Sequence, residues 1–226
     1  TNGFIFEPTS GLPDGAISFG FSPHDENVAF AYCDKERPGI WRSTDKLESW
    51  EPVWQLPADS DDSPKVFGKR TFAFDPGRGG HVYYASYNDG LLRSTQNGAA
   101  GTWSTVAFDG LMVKTLSAAT ADNGTTRLYA IVCTPGVDDS AFNTGELWRL
   151  DIFDSGSIDQ VMQLAAGNDN FSDVEVRPDD PARGLVWEGG RMQLPVTRQL
   201  YRFWNRGTSV GLNPILDADN TPADYF

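Results

Sequence analysis

Several residue types that build particular sites are scarce in this sequence. Of 226 residues, two are cysteines and two are histidines, which excludes a disulfide scaffold and a His-rich zinc site. No stretch of ~18 consecutive apolar residues occurs, so no membrane-spanning helix is predicted. Lysine and arginine number 18 against 31 aspartates and glutamates. The net charge of -13 would repel phosphate backbones, so nucleic acid is not an expected partner.

Aromatic and turn-forming residues are abundant instead. The chain holds 7 Trp, 14 Phe, 23 Gly and 14 Pro, and 39% of its residues are hydrophobic. This content is too rich in core-forming side chains for a disordered chain. Short apolar runs between Gly- and Pro-containing turns are typical of an all-β protein. The sequence begins at Thr1 without a methionine, which we interpret as a processed or excised chain.

One segment recurs four times along the chain. GIWRSTD at 39–45 returns in related form at 90–96, 145–151 and 199–205, with the central arginines 51, 56 and 53 residues apart. Upstream of it stand an alternating strand, a Pro or Asp turn and a second apolar strand, and a fourth strand follows. Four strands at a period near 50 residues predict a β-propeller blade. The predicted propeller spans 1–212, with blades at 14–57, 66–110, 111–166 and 171–212, an outer strand of a preceding or closing blade at 3–8, and an acidic tail or linker at 213–226.

A second motif follows the recurring segment, in the turn between the third and fourth strands. Asp-box repeats read roughly Ser/Thr-x-Asp-x-Gly-x-Thr/Ser-Trp, and STDKLESW at 43–50 lacks only the Gly. In such a hairpin the acidic side chain accepts turn N–H groups, Gly permits positive φ and Trp packs beneath. These residues therefore indicate the fold and not the activity. The predicted structural Asp-box residues are Ser43, Asp45 and Trp50 in the first blade, Ser94, Gly98 and Trp103 in the second, and Asn205 and Gly207 in the fourth.

These repeats resemble the Asp-box (BNR) propellers of the sialidase- and sortilin-like superfamily. The sequence resembles the xyloglucanase-like two-propeller glycoside hydrolases most, through the segments at 10–15, 74–76, 83–85, 92–94 and 145–151. The resemblance implies an all-β fold of four-stranded antiparallel blades. Four blades are visible, and they either belong to a larger propeller or close a small four-bladed ring. It also implies an extracellular protein that handles carbohydrate.

A candidate catalytic residue comes from the same resemblance. Those hydrolases are inverting enzymes with one carboxylate in each of two propellers, and an inverting pair stands ~6.5–9.5 Å apart. Their base lies between the second and third strands of a blade, where this chain has CDKERPGIWR at 33–42. Asp34 is the position that carries over. Its partner acid would lie in a second propeller, and the alternative is a solvated loop carboxylate without a catalytic role.

Loops between second and third strands are also the natural place for sugar binding, which uses aromatic platforms beside polar groups. Tyr87, Asp89 and Trp187 are the candidate substrate-binding residues, and core or rim packing is the alternative for the aromatic ones. No cofactor or metal site is predicted apart from one option. The acidic tail residues Asp217, Asp219 and Asp224 resemble an oxygen-rich Ca²⁺ loop but lack the Gly and terminal Glu of an EF-hand, and a linker is the alternative.

The sequence supports two hypotheses about function. The first is an extracellular carbohydrate-binding or glycoside-hydrolase-like propeller acting on β-glucan-type polysaccharide. The second is a non-catalytic propeller scaffold or receptor, and a second propeller or a homo-oligomer would complete the ring in either case. Asn123 and Asn170 stand in sequons that permit N-glycosylation. Cys33 and Cys133 fall on corresponding strands of non-adjacent repeats, which predicts two buried thiols.

Overall fold

A computed structural model gives the architecture. It describes residues 10–35, 37–56, 70–121, 124–134, 145–153, 157–165, 171–178, 180–188, 199–206 and 209–214. These residues form sixteen β-strands in four four-stranded sheets, and every neighbouring pair within a sheet is antiparallel. The predicted all-β class and the four-stranded antiparallel units are confirmed. No helix among the described residues is long and apolar enough to cross a membrane.

Each sheet is built from consecutive strands. The first holds β1 (Ala16–Phe21), β2 (Ala29–Cys33), β3 (Gly39–Ser43) and β4 (Glu51–Gln55). The second holds β5 (Phe72–Phe74), β6 (Val82–Ala85), β7 (Leu91–Ser94) and β8 (Ser104–Ala107). The third holds β9 (Met112–Thr120), β10 (Thr126–Cys133), β11 (Glu146–Ile152) and β12 (Ile158–Ala165). The fourth holds β13 (Phe171–Arg177), β14 (Asp180–Glu188), β15 (Gln199–Arg206) and β16 (Ser209–Pro214).

The core lies between successive sheets. Because side chains alternate along a strand, the second strand of the second or third sheet sends one set of residues to the sheet before it and the other to the sheet after it. In β10, Leu128 and Ala130 pack toward the second sheet, whereas Tyr129 and Ile131 pack toward the fourth. Aromatic residues fill the first boundary, where Phe30 contacts the rings of Phe72, Phe74 and Trp103. Each fully buried aromatic or branched side chain contributes about 1.5–3 kcal/mol to stability.

A polar turn after β5 adds hydrogen bonds that cross sheet boundaries. The Asp75 side chain is fully buried, and its carboxylate accepts hydrogen bonds from the Thr126 hydroxyl at 2.6 Å and from Arg78 at 2.9 Å. His24 of the first sheet donates from Nε2 to the Asp75 carbonyl at 2.7 Å. The Arg78 guanidinium also donates to the carbonyl of Ile152 in the third sheet at 3.2 Å. Three consecutive sheets are therefore joined at one turn.

The two cysteines are buried free thiols on different sheets, as predicted. Cys33 ends β2 and Cys133 ends β10. Burial raises the pKa of each thiol to about 11, so both stay protonated and unreactive at neutral pH. The predicted outer strand at 3–8, the sequon positions Asn123 and Asn170, and the residues beyond Pro214 lie outside the described part of the chain.

Candidate functional site

The hairpin between β3 and β4 carries the first predicted Asp box. Asp45 Oδ1 accepts hydrogen bonds from the Ser43 hydroxyl and from the Ser49 backbone N–H, both at 2.9 Å. The Ser49 hydroxyl donates to Oδ2 at 2.5 Å, and the Leu47 N–H donates to Ser43 Oγ at 3.0 Å. These bonds lower the pKa of Asp45 below its ordinary value of 3.8, with Ser49 as the largest cause. Trp50 is buried beside the turn.

Leu47 occupies the place where the Asp-box pattern has Gly. Its backbone lies in the left-handed region with φ 73°, next to Lys46 with φ 61°. An L-residue with a Cβ is strained there. Leu47 packs against the cluster that contains Trp41 and Trp50, and this packing offsets part of the strain. The turn geometry of the hairpin is therefore kept without the glycine.

The second predicted box keeps its glycine. Ser94 Oγ accepts the Gly98 N–H at 3.1 Å, and the Trp103 indole N–H donates to the Gly98 carbonyl at 3.1 Å. Gly98 has φ 68°, and a Cβ added there would lie 2.2 Å from the Phe30 ring. The hairpin is thus fitted against the first sheet. In the fourth sheet Asn205 lies in β15, where only its backbone is described, and Gly207 lies outside the described residues.

Hairpin turns and the candidate site residues lie at opposite edges of the sheets. β3 begins at Gly39 beside the loop that holds Asp34 and ends at Ser43 beside the Asp-box turn. The same order holds in the second sheet, where residues 86–90 precede β7 and the second box follows it. Loops at the first of these edges therefore hold both Asp34 and Asp89.

Asp34 directly follows β2, and its backbone N–H donates to the Gly15 carbonyl at 3.1 Å. Its Oδ1 atom is buried and has no hydrogen-bond partner. Gly15 has φ 88°, and a Cβ there would lie 2.7 Å from Oδ1, so glycine leaves the room that this carboxylate occupies. A buried carboxylate oxygen without a partner is costly unless water or a ligand satisfies it. Asp34 Oδ1 can therefore accept a hydrogen bond from water or from a ligand.

Asp89 approaches from the second sheet. Its Oδ2 accepts the Ser86 hydroxyl at 2.9 Å, and its N–H donates to Ser86 Oγ at 3.2 Å. These two bonds form a tight turn that holds the carboxylate at the end of β6. One carboxylate oxygen is thereby fixed by the loop itself.

Two tyrosines lie beneath the carboxylates at the boundary between the sheets. Tyr32 lies in β2 two residues before Asp34, and the Tyr32 ring stacks on Tyr84 at 5.2 Å. The Tyr32 hydroxyl is buried and has no hydrogen-bond partner. Burial raises its pKa, and the charges of Asp34 and Asp89 raise it further. Asp34, Asp89, Tyr32 and Tyr84 together form the seam site.

The other predicted binding residues stand apart from the seam site. Tyr87 is half-buried and packs against Met112 and Cys133 of the third sheet. Trp187 lies in β14 of the fourth sheet and lines an open groove of about 250 Å³. The groove's remaining lining residues are Asp173, Val174, Glu175, Leu185 and Leu200.

Metal ligands are not gathered in the structure as far as it is described: among those residues no three His, Cys, Asp or Glu side chains could hold an ion together. The proposed Ca²⁺ ligands Asp217, Asp219 and Asp224 lie outside them. Tyr32 was not singled out from the sequence. The signal that could have found it is its spacing of two from Asp34 in an alternating strand.

Solved structures share this arrangement of sheets. An ancestral GH74 enzyme matches 88% of this chain at 21% identity with a TM-score of 0.63. The GH74 enzyme of Niastella koreensis matches 87% at 17% identity with a TM-score of 0.61, and the GH74 xyloglucanase of Xanthomonas campestris matches 88% at 21% with 0.57. The fold is that of β-propeller blades. The resemblance to xyloglucanase-like propellers is confirmed at the level of fold.

The matched structures are much longer than this chain. This chain spans 27–29% of the length of those three structures, so it corresponds to a group of their blades. No protein-family model matches the sequence, and no curated protein is similar to it.

Proposed function

We propose that this chain is part of an extracellular carbohydrate-handling propeller that acts on β-glucan-type polysaccharide, with Asp34 as the general base. The observation that carries the proposal is the buried, unpartnered Oδ1 of Asp34 at the loop edge of the first blade. The blade fold shared with GH74 enzymes, one of them named a xyloglucanase, supports the substrate class.

Asp34 suits the role of base because its free oxygen can accept a proton from a water molecule. Its backbone is fixed by the bond to Gly15, which limits the reorganisation that proton transfer requires. An inverting hydrolase needs a second, protonated carboxyl group about 6.5–9.5 Å away. That acid comes from a second propeller facing this edge. Asp89 on the neighbouring loop then contacts the sugar chain.

An Asp34→Asn variant of the full protein tests the assignment. We expect hydrolysis of xyloglucan and mixed-linkage β-glucan, measured as reducing-end release, to fall at least a hundredfold, within the range that general-base catalysis contributes. Binding measured by affinity electrophoresis should persist, since the amide keeps the shape of the carboxylate. Asp14→Asn is the matched control, because Asp14 is an exposed aspartate in the adjacent loop. Unchanged hydrolysis in Asp34→Asn contradicts the role.

A second candidate function is a non-catalytic scaffold or receptor. It is favoured by Phe19 and Phe21 of β1, which are 48% and 63% exposed, because large exposed apolar side chains mark protein contact surfaces. A glycan array without binding, together with a stable homo-oligomer in solution, supports this function over the first. Binding of β-glucans at micromolar concentration argues against it.

A further inference from the structure

Both histidines of the chain lie at the turn that joins the first three blades. The sequence contains only His24 and His81. His24 belongs to the first blade, and its Nε2 donates to the Asp75 carbonyl at 2.7 Å. His81 closes the turn itself, because its carbonyl accepts the Asp75 N–H at 3.1 Å and its N–H donates to the Arg78 carbonyl at 3.4 Å. We call residues 75–81 and their contacts to the first and third blades the three-blade junction.

The contacts of this junction to the third blade involve buried charge. The Asp75 carboxylate is fully buried. It accepts hydrogen bonds from the Thr126 hydroxyl of the third blade and from the Arg78 guanidinium of its own turn. The same guanidinium donates to the Ile152 carbonyl of the third blade. The second and third blades are therefore held together partly through the position of the Arg78 side chain.

Within residues 75–81, all of which the structure describes, one buried side-chain polar atom has no hydrogen-bond partner. This atom is Nδ1 of His81. A neutral imidazole carries a proton on one ring nitrogen, whereas an imidazolium carries an N–H on both. Protonation of His81 therefore puts a positive charge and a further N–H donor in the junction, and a buried donor without an acceptor is costly.

Charged groups surround His81 from its own turn and from the next strand. Asp75 and Arg78 lie on the turn, and Arg93 lies in β7. His24 contacts the same turn from the first blade. Burial is the largest influence on the pKa of His81 and lowers it, whereas the Asp75 charge raises it. The charges of the two arginines lower the pKa further, so the folded chain favours the neutral imidazole.

We propose that the three-blade junction is a pH-sensitive switch with His81 as its sensor. Neutral His81 leaves the junction closed. Protonated His81 repels the Arg78 guanidinium from its bonds to Asp75 and Ile152, and the blades open locally at this turn. His24 is not the sensor, because its Nε2–H donates to the Asp75 carbonyl in both the neutral and the protonated ring. The switch operates whether or not the chain acts on carbohydrate.

The direction of the pH effect follows from the lowered pKa of His81. As the pH falls, an opened or unfolded chain takes up the proton near 6.5, the ordinary pKa of histidine, before the closed junction does. The stability that the closed junction contributes is therefore complete above that value and is lost as the pH falls below it towards the folded pKa. Acidification, and not a rise in pH, should open the switch.

Amide hydrogen exchange of the full protein, measured by mass spectrometry at about pH 7.5 and about pH 5.5, tests the proposal, since these values bracket the ordinary histidine titration. Rates are corrected for the pH dependence of exchange in unstructured peptides. We expect the protection of β5, β6 and β9 to fall at least about threefold at the lower pH. His81→Gln cannot take up a proton and should lose most of this fall. His24→Gln is the matched control, because it removes the other imidazole at the same turn, and it should keep the fall.

Each comparison is made between two pH values of one variant, so a variant that is less stable overall still gives an answer. Proton NMR titration of the His81 ring in the wild-type protein adds a measurement that depends on no variant, and it should give a pKa below 6.5. A His81 pKa above 6.5 would mean that protonation tightens the junction through Asp75, which overturns the proposal. A His81→Gln protein that keeps the full acid-dependent fall in protection overturns it as well.

Discussion

Tyr32 stacks on Tyr84 across the boundary between the first two blades, with ring centroids 5.2 Å apart. The Tyr32 hydroxyl is buried near the charges of Asp34 and Asp89 and has no hydrogen-bond partner. A buried polar atom that lacks a partner costs about 1–3 kcal/mol. Removing the Tyr32 hydroxyl should therefore change the free energy of unfolding by a measurable amount.

Tyr32→Phe is expected to raise the free energy of unfolding by about 1 kcal/mol, because it removes the unpartnered hydroxyl and keeps the ring stack. Tyr129→Phe is the control. Its hydroxyl donates to the Pro181 carbonyl at 2.6 Å, so its loss should destabilise by a similar amount. Urea unfolding followed by circular dichroism measures both. A destabilised Tyr32→Phe would mean that the hydroxyl is satisfied in solution.

Gly98→Ala should destabilise the chain by about 2–4 kcal/mol, because the new methyl meets the Phe30 ring in addition to the unfavourable positive φ. Gly101→Ala separates the two effects. Gly101 has φ 76° and nothing within 4 Å of an added Cβ, so its substitution carries the backbone cost alone, about 1 kcal/mol. Equal losses in thermal unfolding would show that Phe30 moves aside freely.

At Leu47 we expect glycine to be the better replacement. Leu47→Gly and Leu47→Ala lose nearly the same apolar packing, but only glycine relaxes the left-handed backbone at φ 73°. Leu47→Gly should therefore be more stable than Leu47→Ala by about 1 kcal/mol. This reverses the usual order of the two residues. Chemical denaturation of the two variants decides it, and an alanine variant of equal or higher stability contradicts the strained turn.

The Asp45 carboxylate should titrate below 3.8 in the folded chain. A lowered pKa means that Asp45 contributes stability above its unfolded pKa and loses that contribution as pH falls through the folded value. Carbon-detected NMR titration of the side chain measures the shift. Ser49→Ala should raise the pKa, since Ser49 is its largest cause, whereas Thr44→Ala, which removes a hydroxyl at an exposed position of the same turn, should leave it in place.

Much of the fold could be predicted because the sequence repeats, so a strand recognised in one blade indicates the corresponding strand in the others. GIWRSTD and its three related segments mark the third strand of each sheet, and a Pro turn marks the end of the first strand in the first, second and fourth sheets. The seam site was harder to predict. Asp34 and Asp89 lie at the same edge because two blades pack side by side. The surroundings of the Tyr32 side chain depend on Tyr84, which is 52 residues away in the chain.

The sequence pattern also could not predict how exposed a side chain is at a given position of a blade. Phe19 and Phe72 stand in the same sequence pattern, yet one is 48% exposed and the other 7%. Trp187 follows the same rule: its strand position matches that of Tyr32, but no described blade covers it. Local sequence fixes which face a side chain takes, while the presence of the next blade decides its burial.

The turn at Asp75 has a further consequence for how the array opens. Thr126 of the third blade donates to the Asp75 carboxylate, and His24 of the first blade donates to the Asp75 carbonyl. Hydrogen bonds at this one turn therefore join the first three blades. In native-state hydrogen exchange these three blades should open as one cooperative unit. The fourth blade has no bond to that turn among the described contacts, so its amides should exchange before those of the other three.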